Sequence, residues 1–146
     1  MIAIDTDVLA LYHLFTHDRR YDATESFMKS SSLHERGTTV YNLMELAGIV
    51  SAAGKSAAAK KIIETYISAG DMRILYPSLD LVSSDLFWVE YCARIMAVME
   101  RGIRYGDAKI LLVAESHGCD ILVTWNTAHY LNKTELQVMT PVEYCF

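Results

Sequence analysis

Short, almost wholly apolar runs alternate along this chain with longer stretches in which apolar residues recur every three or four positions. Ile2 to Ile4 is the first such run, and Asp5 stops it. Val8, Leu11, Tyr12 and Phe15 follow at helical spacing, so the pattern predicts a strand and then a helix. Asp22-Ala23-Thr24-Glu25 has the form of a capping box, opening a helix that runs to about Leu33 before Gly37 stops it. Thr38 to Tyr41, β-branched and aromatic, predicts a second strand. Asn42 is placed to cap the next helix, whose Leu43, Leu46, Ala47 and Val50 share one face as far as Gly54.

Lys55 to Ala69 predicts a helix with Ile62, Ile63, Tyr66 and Ile67 inward and Lys60 and Lys61 in water, and Gly70-Asp71 turns it into a third strand, Met72 to Tyr76. A long helix from Leu81 to Glu100, its apolar residues assigned to the core, ends at Gly102, and another from Asp107 to His117 ends at Gly118. Ile121 to Thr124 and Gln137 to Thr140 are the last two strands, with a helical turn at Thr127 to Leu131 between them. Strands this short and apolar, separated by helices, predict a parallel sheet buried on both faces, hence an α/β sandwich.

Composition narrows the picture. A chain of 146 residues suits one domain, 1–146, and 52% hydrophobic residues with only 7 Gly and 2 Pro exclude a disordered or collagen-like protein. A net charge of −5 offers no steering toward a polyanion or an anionic membrane, so any nucleic-acid contact needs a local patch. Cys92, Cys119 and Cys145 lack CxxC spacing, fit a reducing compartment and read as small buried hydrophobes. Neither a basic signal region nor an apolar run of membrane length is seen, and the expected location is the cytoplasm.

In a parallel α/β sheet the ligand crevice lies outside the carboxyl ends of the strands. Asp5 directly follows strand one, Asp107 opens the helix before strand four, and Glu45 lies one turn into the helix after strand two, so all three can reach one edge. Carboxylates brought within about 4 to 6 Å raise one another's pKa unless a cation neutralises them. Oxygen-only donors suit Mg²⁺ or Mn²⁺ rather than Zn²⁺, and such ions support phosphodiester hydrolysis.

On these residues the chain resembles the PIN-domain ribonucleases of the VapC toxin type. Ile4-Asp5-Thr6-Asp7-Val8-Leu9, Asn42-Leu43-Met44-Glu45-Leu46, Tyr105-Gly106-Asp107-Ala108, and Ile121-Leu122-Val123-Thr124-Trp125-Asn126 with His129-Tyr130 carry the resemblance, over nearly the whole length. It implies a three-layer α/β/α sandwich with a short, mainly parallel central sheet. It implies that Asp5, Glu45 and Asp107 are catalytic and coordinate Mg²⁺ or Mn²⁺, with Thr6, Asp7, Thr124 and Asn126 in support. It further implies an RNA substrate, an antitoxin protein that blocks the site, and a homodimer. The family's fourth acidic position falls at Asn126, where an amide removes one charge and keeps a carbonyl oxygen. Asp120 precedes its strand and belongs at the opposite edge.

Arg101, Arg104 and Lys109 lie near Asp107 in sequence and are the candidate RNA-phosphate contacts, with Arg19 and Arg20 as weaker ones; the alternative for each is an ordinary solvated base. Trp125 is assigned to core packing ahead of base stacking, and the five histidines to the surface. Two other functions remain open. A PIN-like RNA- or protein-binding module with weakened catalysis would account for Asn126. Asp5-Thr6-Asp7 also fits the first motif of haloacid-dehalogenase-type phosphatases, although the later Thr and acidic motifs fall in the wrong order. No GxGxxG follows the first strand, which disfavours a dinucleotide-binding fold.

Overall fold

In the computed structural model, which describes residues 1–80 and 83–145, the short apolar runs are strands and the periodic stretches are helices. β1 (Ile2–Ile4) leads through α1 (Thr6–Leu14), α2 (Tyr21–Ser30) and a 3-10 turn at Ser31–Leu33 to β2 (Arg36–Thr39). α3 (Val40–Ala52) and α4 (Ser56–Ala69) precede β3 (Arg73–Leu75), and α5 (Ser84–Met99) and α6 (Tyr105–Ser116) lead to β4 (Ile121–Val123). A 3-10 turn at Thr127–His129 precedes β5 (Gln137–Met139). α7 (Pro141–Cys145), an element the pattern does not predict, follows.

The strands lie in the order β3-β2-β1-β4-β5, and every pairing is parallel. The two-residue period of β1 sends its side chains to opposite faces. Ala3, with Leu75 and Leu122, packs against Tyr91, Ile95 and Val98 of α5 and Leu111 of α6. Ile2 and Ile4, with Val123, pack against Val8 and Leu9 of α1, Phe27 of α2 and Leu43 and Leu46 of α3. The result is a PIN-like α/β/α sandwich. From β1 the chain moves outward to β2 and β3 on one side, then returns to β4 and β5 on the other. The carboxyl ends of β1 and β4 therefore flank the point where the strand order reverses, the place such sheets leave open for a ligand.

Local chemistry moves several predicted boundaries. Gly37 lies inside β2 instead of ending a pattern: a Cβ there would stand 3.0 Å from the Arg73 carbonyl oxygen and 3.2 Å from the Leu75 side chain, so glycine allows β3 to approach. Asp22 is not an N-cap. The Asp18 side chain accepts from the Arg20 N–H at 2.9 Å and its carbonyl from the Tyr21 N–H at 2.9 Å, and this turn starts α2 at Tyr21, leaving Asp22 in the first turn. Thr39, not Asn42, caps α3, and Asn42 closes the capping box from the third helical position.

α5 departs most from expectation. Of its apolar residues Tyr91, Ile95 and Val98 are buried, whereas Leu86, Trp88, Val89, Met96 and Met99 are exposed, because the helix packs through one face and is apolar on the others as well. Its predicted start at 81 lies outside the described residues. Ile67 of α4 is likewise exposed, while Ile62, Ile63 and Tyr66 are half-buried. Of the three cysteines only Cys119 is buried; Cys92 and Cys145 lie at the surface. No helix among the described residues is long and apolar enough to cross a membrane.

Candidate active site

Asp5 ends β1 and caps α1, its Oδ1 accepting from the Thr6 N–H at 2.7 Å, and only 6% of it is exposed. The same oxygen accepts from Asn42 Nδ2 at 3.0 Å. Asn42 is locked in orientation because its Oδ1 accepts from the Thr39 N–H and hydroxyl, at 3.0 and 2.6 Å. Its Nδ2 also donates to Thr6 Oγ1 at 2.9 Å, and Thr6 Oγ1 donates to Glu45 Oε2 at 2.7 Å. Glu45 lies three residues beyond Asn42 on the same face of α3, so one buried network ties the first and second acids together. The other oxygen of Glu45 faces α6, 3.8 Å from where a Cβ on Gly106 would lie.

The third acid, Asp107, stands in the first turn of α6. Its Oδ2 lies 3.0 Å from His129 Nδ1, and its Oδ1 lies 3.4 Å from the Tyr130 hydroxyl. That hydroxyl also lies 3.4 Å from Asp5 Oδ2, so two acids from opposite ends of the chain converge on one phenol. Asp7 completes the edge. Its Oδ2 accepts from Thr124 Oγ1 at 3.1 Å and the Trp125 N–H at 2.9 Å, while its Oδ1 is buried with no hydrogen-bond partner. Asn126 follows with an exposed side chain, its N–H donating to Thr124 Oγ1 at 3.1 Å.

Burial, followed by the charge of Asp7, pushes the Asp5 carboxyl up to about 7. Burial also raises Asp7. No Lys or Arg among the described residues forms an ion pair with Asp5, Asp7, Glu45 or Asp107; the partner they have is His129, beside Asp107. The chemistry of this donor set fits a hard divalent cation: oxygen ligands, an unpartnered buried carboxylate oxygen and a raised carboxyl. Among the described residues no three His, Cys, Asp or Glu side chains already form a metal-holding group.

Other predicted residues are dispersed. Arg101 pairs with Glu115 at 2.8 Å and lines a polar depression with Asp120 and Lys133, away from the acids. Arg104 is exposed before α6. Lys109 does reach the vicinity, its Nζ 4.9 Å from the ring centres of both Tyr41 and Tyr105, in an apolar groove of about 650 Å³ that Glu45 also lines. Trp125 is half-buried against the core, its Nε1 donating to Thr24 Oγ1 at 3.1 Å, with the Arg20 guanidinium 5.7 Å over its ring. Asp120 sits at the opposite edge, beside the Met1 amino group. Sequence reasoning missed three contributors: Asn42 as an anchor of Asp5, Tyr130, and His129, which is on the surface as expected yet touches Asp107.

No family model matches the chain, and no curated protein does. Solved structures do share its fold, among them VapC and VapBC proteins and a toxin-antitoxin complex. The DNA-bound VapBC of Salmonella typhimurium superposes with a TM-score of 0.67 at 16% identity, over 96% of this chain and 97% of that one. A toxin-antitoxin complex from Klebsiella pneumoniae gives 0.62 at 18%, over 97% and 98%. The sarcin-ricin loop cleaving VapC toxin of Mycobacterium tuberculosis gives 0.61 at 18%, over 94% and 99%. At these identities the shared property is the fold.

Proposed function

We propose that this chain is a divalent-metal-dependent ribonuclease of the VapC toxin type, acting in the cytoplasm and restrained by an antitoxin protein. The observation that carries this reading is the convergence of Asp5 and Asp107 on one hydroxyl, with Glu45 tied to Asp5 through Thr6 and Asn42, where the strand order reverses. Asp5, Glu45 and Asp107 would hold Mg²⁺ or Mn²⁺, which when bound supplies charge neutralisation and Lewis-acid stabilisation at a scissile phosphate. Asn42 and Thr6 hold the first two carboxylates in place. Thr124 and the Trp125 N–H fix Asp7, and Asn126 adds an amide oxygen at the rim. Lys109 is the base best placed for an RNA phosphate, since it lines the same groove as Glu45.

The fold shared with toxin-antitoxin complexes supports the antitoxin partner. The exposed apolar side of α5 is where a second copy would pack into a homodimer. Cleavage of a mixed single-stranded RNA in EDTA, Mg²⁺ or Mn²⁺, comparing the wild type with Asp107→Asn purified identically, tests the reading. Cleavage that needs metal and vanishes in the variant is expected. Absence of cleavage by folded protein across a wide metal range, with no calorimetric Mn²⁺ binding, would leave the second reading, a binding module, which Asn126 favours.

A further inference from the structure

Tyr130 is fully buried, and its backbone is fixed by a 3-10 turn in which its N–H donates to the Thr127 carbonyl at 3.0 Å. Lys133 braces the same turn by donating to the His129 carbonyl at 3.0 Å. The ring belongs to the core between sheet, α5 and α6, where a phenylalanine would pack equally well. Only the hydroxyl leaves that apolar setting, and it emerges between Asp5 Oδ2 and Asp107 Oδ1, 3.4 Å from each. Those two oxygens are the ones Asn42 and His129 do not hold.

Taking Asp5 and Asp107 as metal ligands, the reading proposed above, we infer that Tyr130 is a positioning residue whose hydroxyl aims these two carboxylates at a common point before a cation arrives. One phenolic proton shared between two acceptors makes a long three-centre contact, which fixes where both oxygens point without closing the space between them. Removing the hydroxyl frees both side chains to turn apart under mutual repulsion, and re-aiming them must then come out of the binding energy of the ion.

Two measurements on the full chain, stripped with EDTA, test this. Calorimetric titration with Mn²⁺ alone should show Tyr130→Phe binding about five- to tenfold more weakly than the wild type, the scale of one hydrogen bond to a charged group. Equal or tighter binding by the variant, when the wild type binds, overturns the inference and leaves the metal reading intact. Thermal unfolding in EDTA of Tyr130→Phe, Asp107→Asn and the double variant supplies a readout free of metal: non-additive midpoints support the bridge, and additive ones overturn it. Coupling without any Mn²⁺ binding by the wild type would retain the bridge and overturn the metal reading.

Discussion

The two edges of this sheet handle charge in opposite ways. At the amino edge, where β2 and β3 begin, charges are matched: Arg36 pairs with Asp71 at 3.0 Å, and Arg73 pairs with Glu35. Arg36 is buried, and it also donates to the Met28 carbonyl at 2.7 Å, Ser31 Oγ at 3.1 Å and the Asp71 carbonyl at 3.4 Å, so most of its donors are committed within the fold. At the carboxyl edge, Asp5, Asp7, Glu45 and Asp107 gather with hydroxyls, amides and one imidazole around them, and no Lys or Arg pair among the described residues. Matched charge consolidates a fold, whereas like charge held together by the surrounding hydrogen bonds costs stability and marks a candidate functional site.

The contrast is sharpened most by Asp107→Asn. On the proposed reading, in which Asp107 holds the metal, the variant should lower RNA cleavage by more than about 100-fold, beyond what a supporting residue usually contributes, with little change in the melting temperature measured in EDTA. An equal rate from wild type and variant would make the carboxyl edge as structural as the amino one. Arg36→Ala should do the reverse: it strips the donors from a buried carbonyl and hydroxyl and should cost about 2 to 4 kcal/mol in a urea unfolding curve.

Asp5→Asn separates the edges by sign. The folded state holds the Asp5 proton more tightly than the unfolded chain, about 7 against the ordinary 3.8, so ionised Asp5 opposes folding. That penalty is absent below about pH 4, grows through the window between the two values and is complete above about 7. In EDTA the variant should therefore melt higher than the wild type at pH 8, and the two should converge toward pH 4. Mn²⁺ should stabilise the wild type and not the variant. The smallest effect belongs to Arg73→Ala, whose exposed pair should contribute no more than about 1 kcal/mol to unfolding and diminish with salt.

Much of this arrangement was readable from sequence for a physical reason. A carboxylate that directly follows an apolar strand in a parallel sheet has one place to go, which is why Asp5 is found at the carboxyl edge; Asp107 is found there because it opens the helix that runs back to the start of β4, and Asp120, preceding its strand, is at the other. Tyr130 is among the residues that carry the resemblance, but its role was not readable, because nothing in spacing tells a wholly buried aromatic from one whose hydroxyl meets two carboxylates. It is core, except for its last atom. Asn42 reads as a cap, and it does close one, but its second amide hydrogen bond has no signature in spacing. Arg101 shows the opposite failure, since closeness to Asp107 in sequence says nothing about which end of α6 it faces, and it pairs with Glu115 near the far end. The apolar surplus of α5 concealed how much of that helix faces outward.

β1 pairs on one side with β4, a strand that begins at Ile121. During synthesis the central strand therefore waits for nearly the whole chain before its second neighbour exists, and pairings of such long reach are slow to form. Asp5 and Asp107 meet only when Tyr130, later still, docks behind them. The carboxyl edge thus cannot be completed until residue 130 has been made, and a half-folded copy holds the acids without the place where they converge.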